Sequence, residues 1–470
     1  MSLYDIGAGA GLPSPQNIDV KITGYNLVGG VLHPSASFIV LYPKMKKLSS
    51  IFALIGISLI IASCQAAATP QARPTRLPTG TPAEIRNRPV PTITAVTATA
   101  TSAAITPTTQ PTLTETTTPT STPQAVGPDH FPAGINPLSG LPVSHPENLS
   151  LPPALVSITN FPITSRPQAG LSFSPFVFEM YIGEGASRFL AVFYGDYPTD
   201  PAGNNDVEVG PIRSGRRPYE SLRELFRGFL VFASASRRVY PYLSEFNVVY
   251  GNDTDVNHAL MKSSQVQQIA TASQSKLGKP ALSGLKFDSQ PPAGGKTGKM
   301  IWVPYNKLDQ VIWHYDTASG SYVRFEDNAD GKTFTQMTDR LNGKPLTYQN
   351  VVIQFVKDHR YDETLFDFDL LYITKMPALL FRDGQVYPIF WTTGSSTYER
   401  TTGLMRPIRF MDAQGNAFPL KPGQTWVEMV PQFTPTYETV DSQVYDDLIK
   451  IHLPGSGNWA IRFYVPALEK

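Results

Sequence analysis

The chain has 470 residues, and 39 Lys+Arg against 38 Asp+Glu leave a formal net charge of +1 at pH 7. That balance argues against a general nucleic-acid-binding role, which needs a concentrated positive field. A single cysteine, Cys64, rules out disulfide staples and argues against a thiolate-rich metal site.

In chain order, the first interpretable signal starts at Met45, not Met1. Met45-Lys46-Lys47 leads into an apolar run over 51–61 and then small residues, the anatomy of a secretory signal. The run is too short to span a bilayer, which takes about 20 residues. Its ending, Ile61-Ala62-Ser63-Cys64, resembles a bacterial lipobox, in which the cleaved chain begins at an acylated cysteine. The alternative is a stray or buried thiol after a cleavable signal. A cationic leader belongs at the start of a chain, so residues 1–44 read as a mis-start extension with no fold or function of their own. The alternative there is a genuine N-terminal extension. Residues 45–64 are then the lipoprotein signal peptide and lipobox. One acyl chain holds a protein only marginally, at about 0.8 kcal/mol per buried methylene. Bacterial lipoproteins carry several chains, palmitate among them, and such an anchor persists.

Residues 65–127 hold 10 Pro and 19 Thr and no aromatic residue. Such a stretch cannot bury enough apolar surface to offset its ordering entropy, so it reads as a disordered tether. Fully extended it reaches on the order of 190 Å, and as a random coil about 45 Å. A stalk through the cell envelope, an idle spacer and an O-glycosylated tract all fit this composition.

The remaining residues are numerous enough for two domains. The expected fold class is α+β, with a mixed α/β domain over 128–285 followed by a mainly antiparallel β domain over 286–470. In the first, residues 154–158, 176–182 and 189–194 are strand-like. Gly183-Glu184-Gly185 between the last two suggests a hairpin connection. Pro218 suits the first turn of a helix, and Leu222, Leu225, Phe226 and Phe229 recur at helical spacing. Residues 230–232 follow as a strand, and 263–274 as a second helix. Ser289-Gln290-Pro291-Pro292-Ala293-Gly294-Gly295 reads as a linker. Beyond it strands dominate, with Arg382-Asp383-Gly384-Gln385 a clear hairpin turn. Without disulfides, stability has to come from core size.

Several motifs in order resemble one family. Asn136-Pro137-Leu138-Ser139-Gly140-Leu141-Pro142 opens the series, followed by Ser165-Arg166-Pro167-Gln168-Ala169-Gly170-Leu171. Phe178-Glu179, Gly183-Glu184-Gly185 and Arg188-Phe189 come next, then Val209-Gly210-Pro211-Ile212-Arg213-Ser214-Gly215-Arg216. Asn350-Val351-Val352-Ile353-Gln354-Phe355 and Pro422-Gly423-Gln424-Thr425-Trp426 complete it. Over about residues 135–431 the chain resembles the YerB-type lipoproteins, domain of unknown function 3048. The resemblance implies a two-domain, membrane-anchored extracytoplasmic protein and no established reaction. The chain departs from the pattern at the extra Arg217, at Ala233-Ser234-Ala235-Ser236-Arg237-Arg238 in place of a glycine-rich turn, and at Asn257-His258.

The best constellation for chemistry is basic. Arg213, Arg216 and Arg217 precede the helix that starts near Pro218, where free N–H groups and guanidinium forks favour phosphate or carboxylate. Arg213 and Arg216 are the ligand-binding candidates, with Arg166 and Arg188 assisting. The alternative is ion pairing with Glu179, Glu184 or Glu220. A second constellation is acidic. Glu179 and Glu184 are weak candidates for an acid and base acting on a glycan, against simple strand-end polarity with Arg188 as partner. Histidines 130, 145, 258, 314, 359 and 452 are scattered, so no metal and no cofactor is expected. Asp358-His359 reads as a strand-end pair. The reading is a membrane-anchored, extracytoplasmic lipoprotein that binds an anionic envelope component, such as a cell-wall polymer, or an envelope partner protein. An enzyme acting on an envelope glycan or phosphoester, and a structural interaction module, are the alternatives.

Overall fold

The computed structural model describes residues 125–470 except 184, 252–255, 442, 444, 448–450 and 470, together with the backbone of two short strands near the N-terminus. Those two, Tyr25–Val28 and Val31–Pro34, pair antiparallel within residues 1–44, for which no fold was expected. Cys64, its signal segment and nearly all of the tether lie outside the described residues.

The described part is mostly β-sheet with few helices, and its sheets are mixed. Among the described residues, twelve strands form one long sheet. From the first half of the chain come β1 (Ala154–Thr159), β2 (Phe176–Tyr181), β3 (Ser187–Phe193), β4 (Phe229–Phe232) and β5 (Phe246–Val248). A helix, α1 (Pro218–Phe226), separates β3 from β4, and α2 (Ser263–Leu277) follows β5. A second sheet is built on β6 (Met300–Asn306), β7 (Asp309–Asp316) and β8 (Ser321–Asp327). The second half then returns to the long sheet with β9 (Asn350–Arg360), β10 (Phe366–Asp369), β11 (Met376–Arg382), β12 (Gln385–Thr392) and β13 (Thr425–Pro431). From the Lys296–Thr297 edge strand the order is β12-β11-β9-β13-β2-β3-β1-β4-β5, with β10 paired to β9 and Arg409–Met411 paired to β12.

The junction is β13. It pairs in parallel with β9 on one side and with β2 on the other, Thr425 opposite Phe176 through Met429 opposite Met180. Hydrogen bonding therefore runs unbroken from strands before residue 285 to strands after it. The second half is largely antiparallel, but β9·β13 and the pairing of β6 with Asn458–Ile461 are parallel.

Alternation along the central strands sends successive side chains to opposite faces. On β2, Val177, Glu179 and Tyr181 share one face, while Phe176, Phe178 and Met180 share the other. The first face packs toward Trp313, Tyr322 and Tyr348, between the two sheets. The second packs against α1 through Leu222, Leu225 and Phe226, with Phe178 and Phe226 rings 5.8 Å apart. Trp302, Trp313, Trp391 and Trp426 are all fully buried. Each large apolar side chain so buried contributes about 1.5–3 kcal/mol, and the core is large enough to stand without disulfides.

Local chemistry sets the turns that matter. Asp383 and Gly384 both take positive φ, 53° and 69°, the geometry of a two-residue hairpin that needs glycine or a short polar residue. The β2–β3 turn holds Gly183 at φ 93°, where an added Cβ would stand 2.2 Å from the Glu363 carbonyl oxygen. That close approach seats the β2–β3 turn on the 361–365 loop. No helix among the described residues is long and apolar enough to cross a membrane.

Candidate functional site

The two faces of the central strands carry two charge clusters of opposite character. Neighbouring residues Ser187 and Arg188 on β3 mark them, one on each face.

On the Ser187 face the buried charges pair with one another, and Arg166 and Glu326 also line a cavity of about 250 Å³. Arg324 of β8 is fully buried; it is ion-paired with Glu179 of β2 at 2.8 Å, donates to Glu428 of β13 at 3.3 Å, and has Glu326 at 3.5 Å. Its guanidinium also lies 4.3 Å from the Trp426 ring centroid. Glu179 accepts from Ser187 Oγ at 2.7 Å and from Trp426 Nε1 at 3.2 Å. Glu428 accepts from Trp313 Nε1 and Tyr305 OH. Burial pushes the Glu179 carboxyl well above the usual carboxylate range, against the pull of Arg324. Asp309, which accepts from the Ser187 N–H at 2.7 Å, is pushed by burial up to about 8. Arg166 belongs to this side as well. It donates to Glu326 at 2.7 Å, to the Asp327 carbonyl at 2.6 Å and to Asn160. Two guanidinium groups thus face four buried carboxyl groups, and burial pushes Glu179, Asp309 and Glu428 toward the neutral form.

Glu179 therefore reaches neither solvent nor an open cavity, and it is not paired with Arg188 as its strand-end reading supposed. Glu184 lies outside the described residues. Arg166 does not join the other predicted arginines.

On the opposite face, Arg188 sits opposite Thr159 of β1 and Met180 of β2 in the sheet register. Only 8 % exposed, it leaves Nε and Nη1 buried with no hydrogen-bond partner. Arg213 reaches the same spot: its Nε donates to Thr159 Oγ1 at 3.2 Å and its backbone N–H to the Ser157 carbonyl. Arg216 approaches from the start of α1, and its Nε is also buried without a hydrogen bond. Burial lowers Arg188 to about 9; Tyr219 opposes this, while Arg216 and Arg213 add to it. No described carboxylate acts on Arg188. The guanidinium keeps its proton at neutral pH, so Arg188 carries a positive charge that no described carboxylate pairs with.

The helix start adds to it. α1 opens on Arg217 with Pro218 in its first turn and no side-chain cap. The backbone N–H groups of Arg216 and Arg217 meet no acceptor among the described residues. Free N–H groups at a helix start carry partial positive charge and favour an anion. Glu220 does not neutralise the cluster, because it binds Arg223 at 2.7 Å and Ser244. The extra Arg217 is spent elsewhere. It pairs with Asp367 at 3.0 Å and lies 3.9 Å from the Tyr242 ring centroid and 4.8 Å from that of Tyr361.

Of the four predicted ligand-binding arginines, the fold brings together Arg188, Arg213 and Arg216 and sends Arg166 to the other face. Sequence reasoning missed Arg324, Glu428 and Asp309. The signal for the first two was a charge inside an otherwise apolar strand, as in Tyr322-Val323-Arg324-Phe325 and Trp426-Val427-Glu428-Met429. His359 pairs with Asp369 at 2.9 Å and with Glu469, rather than with its neighbour Asp358. Among the described residues, no three His, Cys, Asp or Glu are placed to hold a metal ion.

Residues 138–277 match the N-terminal domain, and residues 301–427 the C-terminal domain, of the protein of unknown function DUF3048. The chain belongs to the DUF3048 family. Within it, YerB, a candidate lipoprotein of Bacillus subtilis (strain 168), is 27 % identical over 313 residues, covering 63 % of this chain and 86 % of the relative. A crystal structure of the Bacillus subtilis YerB protein is also similar, with 23 % identity and a TM-score of 0.49, covering 63 % of this chain and 96 % of that one. Every charged residue of both clusters falls inside the two matched segments, except that Glu428 lies one residue beyond the second.

Proposed function

We propose that this DUF3048 protein is an extracytoplasmic lipoprotein, acylated at Cys64, whose folded head binds an anionic component of the cell envelope. Residues 1–44 lie upstream of the processed chain, residues 45–64 direct export, and residues 65–127 hold the head away from the membrane. The lipobox-like ending and the relative described as a candidate lipoprotein support the anchor.

The observation that carries the binding role is Arg188. A guanidinium 8 % exposed, with two nitrogens unpartnered and two further arginines beside it, has an unmet demand for negative charge. Burying an uncompensated charge costs several kcal/mol, and a ligand that offsets this cost binds at that place. The test is retention of the purified head, residues 125–470, on cell-wall polyanion. Retention should fall with rising salt, because exposed charge pairs are screened, and an Arg188→Met, Arg216→Ala double variant should lose it. Equal retention of wild type and variant would contradict the proposal.

A further inference from the structure

We infer that the cavity lined by Arg166 and Glu326 is a second binding site, for a small zwitterion of the α-amino acid class, whose carboxylate meets Arg166 and whose ammonium meets Glu326. The cavity lies between segments from the two halves of the chain. Residues 163–168 form one wall, with Ile163, Arg166 and Gln168 among its lining. The other wall runs from Glu326 on β8 to the strand Phe334–Gln336 and the two residues after it. Ligand sites favour such places between domains. The volume is about 250 Å³, the share of roughly eight waters at about 30 Å³ each. That is below the roughly 300 Å³ at which pockets for drug-sized molecules begin, so the ligand is a single small molecule and not a stretch of polymer.

Charge narrows the class. Arg166 and Glu326 are the charged residues of the lining, and they pair at 2.7 Å, so the lining as a whole is neutral. An ion of either sign would meet its own charge beside the opposite one. A zwitterion can set each end on its counterpart. Both partners also keep one buried polar atom without a hydrogen bond. On Arg166 it is the donor Nε, and on Glu326 it is the acceptor Oε2, which faces Arg324 Nη2 at 3.5 Å. Gln168, fully buried, adds a second acceptor, because its Nε2 is committed to the Thr159 carbonyl at 3.0 Å and its Oε1 has no partner. One cationic donor and two acceptors, one of them a carboxylate, match an α-carboxylate joined to an α-ammonium. These atoms are shielded in the structure, so binding includes a turn of the Arg166 and Glu326 side chains toward the ligand. The outer wall suits a polar side chain: Thr335 and Gln336 are exposed and offer a hydroxyl and an amide, while Ile163 and Met337 cover methylenes. The site is separate from the anion cluster, which lies on the opposite face of the long sheet.

The test is calorimetric titration of the full-length protein with L-glutamine, N-acetyl-L-glutamine, L-glutaminamide and glucose. L-glutamine should bind at least about ten-fold more tightly than each of the others, an increment of about 1.4 kcal/mol. The two blocked forms each remove one charge, and glucose has neither. Ile163→Trp fills the cavity from a position 39 % exposed and leaves the buried ion pairs untouched. It should abolish L-glutamine binding with the urea midpoint unchanged. Arg188→Met should leave L-glutamine binding as in wild type, which separates this site from the anion site. No binding of L-glutamine, or equal binding of either blocked form, would overturn the zwitterion assignment. Glucose binding as tightly as L-glutamine would overturn it in favour of an uncharged polyol. Full L-glutamine binding by a folded Ile163→Trp variant would show that the cavity is not the site.

Discussion

Two arginine environments lie back to back across one sheet. Arg324 and Arg188 are both deeply buried cations, yet Arg324 has three carboxylates within 3.5 Å and Arg188 has none among the described residues. Arg324 joins β2, β8 and β13, strands from both halves of the chain. Arg188 is 8 % exposed and stands among other cations. The contrast separates a charge kept for architecture from a charge kept for something outside the protein. Removing the first should damage the fold. Removing the second should relieve it.

The largest expected effect is on the closed side. Arg324→Met leaves Glu179, Glu428 and Glu326 buried without their shared cation. Breaking a buried pair in this way costs about 3–5 kcal/mol. Urea denaturation followed by tryptophan fluorescence should show a large fall in midpoint, since Trp313 and Trp426 sit against the lost side chain. A midpoint unchanged from wild type would show that the carboxyl groups are neutral on their own and that Arg324 is not what balances them.

A smaller effect concerns Asp309. Its folded value of about 8 lies above the ordinary 3.8, so folding takes up a proton between those values. The sign follows: its stabilising contribution is fully present below about pH 4 and is lost as pH rises toward 8. Asp309→Asn keeps an acceptor for the Ser187 N–H and cannot ionise. Its urea midpoint should therefore match wild type near pH 4 and exceed it increasingly up to pH 8.5. Parallel profiles for the two proteins would contradict this.

The smallest effect lies at the edge of the sheet. Burial pulls His359 down, but hydrogen bonds and charge from Glu469 and Asp369 outweigh it and leave the imidazole raised. The contribution of such a group is present below its unfolded value, about 6.5, and lost as pH rises through the folded one. Because the site is part-exposed and screened, His359→Gln should cost about 0.5 kcal/mol at pH 5.5 and nothing measurable at pH 9. An equal loss at both would assign the residue to packing instead.

What the sequence allowed and withheld follows the range of the interactions. Pro218 with Leu222, Leu225 and Phe226 announced α1, and Asp383-Gly384 announced the β11–β12 hairpin, because caps and turns are local. Arg213 and Arg216 stood out through their place before Pro218. Arg188 was legible as a candidate, but its isolation was not, since that depends on Glu179 facing the other way on β2. The continuous sheet was hidden for the same reason. Residues 425–431 read equally well as a strand in a separate domain, and only their parallel pairing with β2 joins the two halves. Arg166 looked like a member of the basic cluster by residue type, and a partner 160 residues away in Glu326 decided otherwise.

Arg188→Met tests the central claim most directly, through the melting temperature of the folded head with and without phosphate. Exchanging an unpaired buried cation for an apolar side chain of similar length should stabilise the apo protein by about 1–3 kcal/mol. The same change should remove the upward shift that phosphate gives the wild type through preferential binding to the folded state. Wild type would then melt lower without phosphate and respond to it, while the variant melts higher and does not. A variant that melts lower than wild type, or one that keeps the full phosphate shift, would contradict the account and return Arg188 to the scaffold.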